Sequence, residues 1–150
     1  MRIFRLCNSA YADDLSGQGA AMYPGRWNRQ GTAVLYCSER PETALLEILV
    51  NLPPMMTPQL TLLTLDIPDD SVRVLSSAEL PANWFHFPAP TVLASIGQEW
   101  IQAAAQLALQ VPSAVVHSAN DVMLNTRHPL MAELRVISKE PFYLDRRLLT

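Results

Sequence analysis

The chain has 150 residues, of which 49% are hydrophobic and 17% charged, and its formal net charge is −3. That length is typical of one domain (1–150), and the hydrophobic fraction is sufficient for a folded core, which excludes a disordered chain. Its 11 basic and 14 acidic residues include no long basic run, so no footprint for direct nucleic-acid binding is visible.

The cysteine count indicates whether the chain can bind a metal, and the hydropathy pattern indicates whether it enters a membrane or is secreted. Cys7 and Cys37 are too few for a disulfide framework or a zinc site, and no metal is expected. No uninterrupted apolar run reaches the roughly 18 residues of a membrane span. The first residues also lack the apolar segment of a signal peptide. These observations predict a cytoplasmic protein without membrane contact.

The first half of the chain is predicted to combine short strands with one helix. A Gly-, Ser- and Asn-rich segment at 8–30 predicts a long loop, and such loops inside a domain are usually functional or disordered. Apolar spacing predicts a helix over 41–52, begun by Pro41 and stopped by Pro53 and Pro54. Strands are predicted at 2–7, 32–37, 57–67 and 71–75, with the last beside the third.

The second half is predicted to contain one helix and three strands. Residues 80–90, rich in proline and aromatic residues, predict a loop, and a polar loop is predicted at 120–129. Apolar spacing predicts a helix over 92–109, ended by Pro112. Strands are predicted at 113–117, 134–138 and 142–144. Because strands and helices mix without regular alternation, the predicted fold class is α+β, a single domain of mixed β-sheets with flanking helices.

A glycine-rich stretch in the long loop is the first candidate binding site. Glycines allow a backbone to approach a ligand closely, and the planar guanidinium of Arg26 fits a phosphate or carboxylate with two hydrogen bonds. With Trp27 and Asn28 beside it, this loop can hold a diphosphate. The alternative is a glycine-rich turn with a solvated arginine. The order of residues matches neither a Walker A loop nor a Rossmann fingerprint.

Two residues within regular elements are candidates for chemistry. Tyr36 lies near the end of a predicted buried strand, where a tyrosine either satisfies its hydroxyl at the rim of the core or stacks on a heterocycle. Glu47 lies in an almost wholly apolar part of the predicted helix. Burying an unpaired carboxylate is costly, so Glu47 is expected to have a partner or to lie in a cleft, the alternative being a solvent-facing glutamate.

Polar residues in the last third of the chain are weaker candidates. Ser113 follows Pro112 at a predicted strand start, and Asn125 lies with His128 in the predicted polar loop. Such residues position ligands, but they equally make ordinary strand starts and turns. The three histidines show neither the order of a catalytic triad nor the spacing of a zinc site.

Taken in order, these residues resemble the RES domain family, the toxin half of RES–Xre toxin–antitoxin pairs. The family pattern is an N-terminal arginine, GxGA, GGRWN, a strand ending in tyrosine, a helix with a buried glutamate, a PS pair and a closing NxxxNPxHP loop. It is matched here by Arg5, 17–20, 24–28, Tyr36, Glu47, 112–113 and 125–129. Glycine, histidine, asparagine and proline are usual in the family where this chain has Pro24, Asn51, Asp121 and Thr126.

The resemblance implies a fold similar to that of ADP-ribosyltransferases and implies NAD as the substrate, with no resident cofactor. It implies that the chain cleaves the nicotinamide–ribose bond of NAD as a glycohydrolase or phosphorylase, which depletes NAD and arrests growth. The implied catalytic residues are Arg26, Tyr36 and Glu47. The implied NAD contacts are Arg26, Trp27, Asn28, Ser113 and Asn125.

The resemblance also implies a protein partner, an Xre-type DNA-binding antitoxin held in a hetero-oligomer. Two alternatives stay open: a mono-ADP-ribosyltransferase that modifies a host protein, and an inactive module that only binds its antitoxin. The acceptor of the ADP-ribosyl group, whether water, phosphate or a protein, is also open.

Overall fold

A seven-stranded mixed sheet organises the residues that the computed structural model describes, 1–53 and 55–149. Its strands are β1 (Arg2–Asn8), β2 (Leu35–Ser38), β3 (Leu60–Asp66), β4 (Val72–Val74), β5 (Ala108–Pro112), β6 (Asn120–Leu124) and β7 (Arg135–Phe142). The α-helices of these described residues are α1 (Gln18–Met22), α2 (Pro41–Leu49) and α3 (Thr91–Ala103). The predicted α+β class is confirmed, with one sheet rather than several.

The strand order is β4-β5-β6-β2-β1-β3-β7, and only the β4–β5 pair is parallel. Strand pairing is least extensive near the centre of the sheet. There β1 pairs with β2 only at Phe4 and Ser38, whereas it pairs with β3 at seven positions. Among the described residues, no helix is long and apolar enough to cross a bilayer.

Side-chain alternation along the strands sends two sets of apolar residues to opposite faces of the sheet. On one face Ile3, Leu35, Leu63 and Val122 belong to one buried cluster. The second cluster, on the face that carries Tyr36, combines strand residues with three tryptophans and the inner side of α3: Trp27, Trp84, Leu93, Trp100, Leu109, Val111 and Met123. The candidate site lies on this second face.

Helix α2 begins where predicted and ends earlier. Pro41 occupies the first turn of α2. The last helical residue is Leu49 rather than residue 52, and the following N–H, that of Val50, donates to the Leu46 carbonyl. Pro54, the second residue of the predicted stop, lies outside the described residues. Ala44 packs on Leu6 and Leu60 of the sheet. Glu47 lies one turn beyond the buried residues Thr43 and Ala44 and therefore on the same side of the helix.

The predicted helix over 92–109 is confirmed up to residue 103 but extends too far, and the predicted strand over 113–117 is wrong. Helix α3 ends at Ala103, where Ala104 adopts a left-handed conformation with φ of 51° and donates its N–H to the Trp100 carbonyl. The apolar run that follows is β5, which has neighbouring strands on both sides. A short apolar run buried on both faces does not reveal its period, so spacing alone could not separate the end of the helix from the strand.

Four other predictions also need correction. Part of the predicted loop at 120–129 is β6, because its apolar residues pair with both β2 and β5. Strand β4 pairs with β5 and not with β3. The two predicted terminal strands are one strand, β7, which tolerates Pro141 because it lies at the edge of the sheet. The predicted long loop contains the short helix α1.

Close contact between α3 and the loop at 24–28 predicts that Gly97 tolerates no side chain. A Cβ at Gly97 would lie 1.8 Å from the carbonyl oxygen of Trp27. We expect Gly97→Ala to lower the stability by about 3 kcal/mol, because the helix or the loop must move. Thermal unfolding should show a Tm lower by roughly 10 °C.

The matched control is Gly19→Ala, since a Cβ at Gly19 in α1 meets no atom within 4 Å. This variant should unfold at or slightly above the wild-type temperature. Equal Tm values for the two variants would contradict the close packing of α3 on Trp27.

Candidate active site

The Glu47 carboxylate is the centre of the candidate site. Its half-buried side chain accepts a hydrogen bond of 2.6 Å from Ser113 Oγ. Ser113 is fully buried just after β5, and its oxygen accepts the backbone N–H groups of Val115 and Val116 at 3.1 and 3.2 Å. These two donors orient the hydroxyl so that its proton points at Glu47. The expectation that Glu47 has a buried partner is confirmed.

A second carboxyl group, that of Asp121, adjoins Glu47. Asp121 lies on β6 opposite Ser38 of β2, whose buried hydroxyl donates a hydrogen bond of 2.7 Å to Asp121 Oδ1. Burial, followed by the charge of Glu47, raises the pKa of Asp121 to about 8. In the sequence, Asp121 stands out only as a departure from the family pattern.

Arg26 brings positive charge to the same region. Its Nη1 donates to the carbonyl oxygens of Trp84 and His86, at 3.0 and 2.7 Å, and so ties the loop at 80–90 to the loop at 24–28. Burial lowers the pKa of Arg26, while the charge of Glu47 acts in the opposite direction. The guanidinium is therefore close enough to Glu47 for their charges to interact.

Aromatic rings of the loop at 80–90 form a cluster next to Arg26. Trp84 is buried, and its ring centroid lies 5.1 Å from that of His117 in the loop after Ser113. Phe85 lies 4.6 Å from the same imidazole and 5.0 Å from His86. The loop bearing Ser113 and the loop held by Arg26 therefore meet through these rings.

Tyr36 fixes the conformation of the loop that carries Arg26. Its hydroxyl donates to Asn28 Oδ1 at 2.7 Å and accepts the Trp27 N–H at 3.1 Å. Gly25 approaches so closely that a Cβ there would lie 3.0 Å from the Tyr36 ring. Burial raises the pKa of Tyr36 well above its usual range, so the hydroxyl stays protonated. Because Tyr36 holds the residues that follow Arg26 in this loop, it also places Arg26 next to itself.

The side chain of Asn28 hydrogen-bonds several backbone groups in and around the same loop. Only 2% of its surface is exposed, and its Oδ1 accepts the Gly25 N–H at 2.8 Å. Its Nδ2 donates to the carbonyl oxygens of Ala20 and Thr32 at 2.8 and 3.0 Å. Trp27 is likewise buried, within the core beside α3. Direct NAD contacts by Trp27 and Asn28 stay predictions, and both residues hold the Arg26 loop in place.

Among the described residues, the side chain of Asn125 hydrogen-bonds Arg127 and Ile101 rather than another predicted site residue. Asn125 follows the end of β6, four residues after Asp121, which corresponds to roughly 13 Å along a strand. Its Oδ1 accepts the Arg127 N–H at 3.2 Å, and its Nδ2 donates to Ile101 at 3.4 Å. Asn125 lines a separate cavity of about 190 Å³ beside α3. Its contact with NAD also stays a prediction.

A larger cavity of about 520 Å³ lies near the other edge of the sheet, where Leu60, Thr61, Phe142 and Tyr143 line it. None of the predicted site residues contributes to its walls. The candidate active site therefore rests on the arrangement of Glu47, Ser113, Asp121 and Arg26 rather than on cavity size.

The role of Tyr36 as an anchor predicts a loss of stability when its hydroxyl is removed. In Tyr36→Phe the Trp27 N–H and the Asn28 Oδ1 each lose a partner. We expect a loss of about 1–3 kcal/mol in the free energy of unfolding, measured by urea denaturation. Tyr143→Phe is the control, because Tyr143 is 86% exposed. Equal stability of Tyr36→Phe and the wild type would refute the anchoring role.

The fold and the carboxylate-centred site together define an α+β domain whose sheet carries a half-buried cluster of charged residues, Arg26, Glu47 and Asp121. Comparison with known families identifies that domain, since the RES domain model matches residues 2–145. The chain belongs to the RES domain family.

Relatives in three bacteria agree with this assignment. A protein named Toxin Res from Yersinia enterocolitica is 35% identical over 130 residues, covering 85% of this chain and 86% of that protein. Another Toxin Res, from Pseudomonas putida, is 37% identical over 144 residues, covering 93% and 95%. The Prs ADP-ribosylating toxin of a Sphingobium species is 32% identical over 142 residues, covering 92% and 88%.

A solved structure shares the fold. The chain matches the crystal structure of the M. tuberculosis MbcT–MbcA toxin–antitoxin complex with a TM-score of 0.80, covering 95% of this chain and 84% of the matched one. The sequence identity is 16%, so this likeness concerns the fold alone.

Proposed function

We propose that this chain is the toxin of a toxin–antitoxin pair and that it cleaves the nicotinamide–ribose bond of NAD. Membership in the RES family and the names of the relatives support the toxin role. One observation carries the chemistry: the Glu47 carboxylate is oriented by Ser113 at 2.6 Å within the field of the Arg26 charge. This is a preorganised anionic group in a half-buried site, as the cleavage of a glycosidic bond requires.

The chemistry of the bond explains why one carboxylate suffices. Nicotinamide is a cation in NAD and leaves as a neutral molecule, so its departure needs no proton from an acid. The ribose left behind develops the positive charge of an oxocarbenium ion. Glu47 stabilises that charge and orients the attacking water or phosphate. Ser113 acts through Glu47 by fixing the direction of the carboxylate.

Arg26 is suited to the diphosphate of NAD. A guanidinium has five N–H donors, and the two hydrogen bonds to the carbonyls of Trp84 and His86 use only Nη1. Nε and Nη2 are then available for a phosphate, in the fork geometry that favours arginine over lysine. Tyr36 and Asn28 contribute by holding this loop, and the rings of the loop at 80–90 offer surfaces on which a base can stack.

A partner protein follows from the same proposal, because an active NAD-cleaving enzyme needs an inhibitor in its own cell. The matched structure is itself a toxin–antitoxin complex. Large apolar side chains near the Arg26 loop and in the loop at 80–90 are exposed, among them Met22, Tyr23, Phe85 and Phe87. We propose an antitoxin of the Xre type as the partner.

A second candidate function is ADP-ribosylation of a host protein. The name of the Sphingobium relative, at 32% identity, favours it. Both reactions begin with the same bond cleavage and differ only in the acceptor. The same Glu47 and Arg26 would serve either one.

The products of NAD distinguish these functions. The chain, freed of any co-expressed partner, is incubated with NAD with and without phosphate, and the products are separated by chromatography. ADP-ribose identifies water as the acceptor, and ADP-ribose-1″-phosphate identifies phosphate. Labelled NAD added with host proteins reveals transfer to a protein. Intact NAD in every case would refute cleavage and leave the antitoxin-binding module.

A further inference from the structure

We propose that His117 is a positioning residue of the candidate active site, whose ring holds the loop at 113–119 against the loop at 80–90. The first loop carries Ser113, which orients the Glu47 carboxylate, and the second is held by Arg26. The effect on turnover rests on the proposed function. The contact between the loops is a property of the folded chain and is testable without NAD.

The imidazole of His117 lies against two aromatic rings of the other loop. His117 belongs to the loop that connects β5 with β6, and its side chain is exposed. Its ring centroid is nevertheless 5.1 Å from that of Trp84 and 4.6 Å from that of Phe85, with the planes tilted by 53° and 48°. These distances lie within the range at which aromatic rings attract each other.

The two rings that receive His117 belong to a firmly anchored segment. Trp84 is only 6% exposed and packs in the buried cluster beside α3. Trp84 and Phe85 contact each other edge to face at 5.7 Å. The carbonyl oxygens of Trp84 and His86 accept the hydrogen bonds from Arg26 Nη1 at 3.0 and 2.7 Å. His117 therefore packs on the same segment that fixes the Arg26 guanidinium.

The backbone next to His117 connects its ring to the Glu47 carboxylate. The N–H groups of Val115 and Val116 donate to Ser113 Oγ at 3.1 and 3.2 Å. The Ser113 hydroxyl in turn donates to Glu47 Oε1 at 2.6 Å. Because Val116 directly precedes His117, a displacement of the imidazole changes the direction of these two N–H donors. The hydroxyl then no longer has a fixed orientation toward Glu47.

The ring contacts supply a link that hydrogen bonds do not. Within residues 1–53 and 55–149, no hydrogen bond joins the loop at 80–90 to the loop at 113–119. One aromatic contact typically shifts an equilibrium by roughly 2- to 10-fold. A displacement of about 1 Å in a group that positions the reaction can lower a rate on the order of 100-fold. Loss of both ring contacts is therefore large enough to affect turnover.

The first test compares His117→Ala with His117→Phe in steady-state kinetics with NAD. Alanine removes both ring contacts, so kcat should fall about 10-fold. KM should change little, because Arg26 still holds the loop at 80–90. Phenylalanine keeps a ring without any nitrogen, so its kcat should stay within about 2-fold of the wild-type value. Wild-type kcat in His117→Ala, or an equal loss in both variants, would overturn the proposal.

The matched control is Ser118→Ala. Ser118 is exposed next to His117 on the same loop, and it has no ring that could contact Trp84 or Phe85. This variant should keep the wild-type kcat and KM. A loss equal to that of His117→Ala would assign the effect to the loop in general and contradict the role of the ring.

Phe85→Ala tests the contact from the other loop. Losses from independent sites multiply, whereas losses of two partners in one contact do not. We expect His117→Ala and Phe85→Ala together to lower kcat by less than the product of the two single losses. A fully multiplicative loss would contradict the coupling of the two loops through these rings.

Hydrogen–deuterium exchange of the free protein separates this inference from the proposed function. Amide exchange over 113–119 should be faster in His117→Ala than in the wild type, and it should be restored in His117→Phe. If every variant and the wild type leave NAD intact but exchange responds in this way, the proposed function fails and the link between the loops stands. Unchanged exchange over 113–119 in His117→Ala would overturn the link, whatever the effect on turnover.

Discussion

Glu47→Gln is expected to lose NAD cleavage almost completely while keeping the wild-type fold. Glutamine has the same shape as glutamate, and its side-chain oxygen still accepts the Ser113 hydrogen bond that Glu47 accepts at 2.6 Å. It lacks the negative charge that stabilises the oxocarbenium ion. Loss of one preorganised electrostatic group typically lowers kcat on the order of 10²–10³-fold. Steady-state kinetics with NAD measures this change.

The control for this variant lies on the same helix. Glu42 is an exposed residue in the first turn of α2, and Glu42→Gln removes an identical charge without touching the site. It should retain wild-type turnover. The Tm of Glu47→Gln should stay within a few degrees of the wild-type value, which separates a catalytic defect from unfolding. Full activity in Glu47→Gln would show that the role assigned to this carboxylate is wrong.

Arg26→Ala is expected to impair NAD binding and to release the loop at 80–90. The side chain has two tasks: its Nη1 holds the carbonyls of Trp84 and His86, and its remaining donors are proposed to bind the diphosphate. We expect kcat/KM for NAD to fall on the order of 100-fold, mostly through KM, because the substrate is no longer held in place. Arg26→Lys should recover little, since an ammonium lacks the fork that serves both tasks.

Two measurements separate the tasks of Arg26. Kinetics reports the loss of NAD binding, and hydrogen–deuterium exchange over 80–90 reports the release of the loop. Arg29→Ala is the matched control, because Arg29 is exposed on the same loop and donates to Ser95 rather than to the site. An unchanged KM in Arg26→Ala would contradict diphosphate binding, and unchanged exchange would contradict the role of Arg26 in holding the loop at 80–90.

The sequence predicts those elements of the fold that are recognisable from the composition and spacing of their own residues. Strand-like composition at 2–7 and 32–37 predicts β1 and β2, although β2 begins only at Leu35, and α2 begins at Pro41 as expected. The boundary between α3 and β5 is not predictable in this way, because Ala104 ends the helix without a glycine and the apolar character continues into the strand. The pairing of β4 with β5 depends on contacts across more than 30 residues, which periodicity does not report.

The candidate site likewise contains some residues that the sequence identifies and others that only the structure reveals. Glu47 is identifiable because a charge within an apolar helix needs a partner, and Ser113 is that partner at a separation of 66 residues. Asp121 lacks such a signal, since its neighbours in the chain read as a polar loop while its partners lie on β2 and α2. Tyr36 is predicted to be a catalytic residue and Asn28 to contact NAD, and the structure adds an anchoring role for both. That role depends on the folded loop at 24–28.

The rate of nicotinamide release from NAD by the purified chain tests the central claim most directly, with wild type and Glu47→Gln at equal concentrations of folded protein. The proposed mechanism predicts steady release by the wild type and a rate lower on the order of 10²–10³-fold for the variant. Equal rates for the two proteins, or no release by the wild type in the presence of water, phosphate and host proteins, would contradict it.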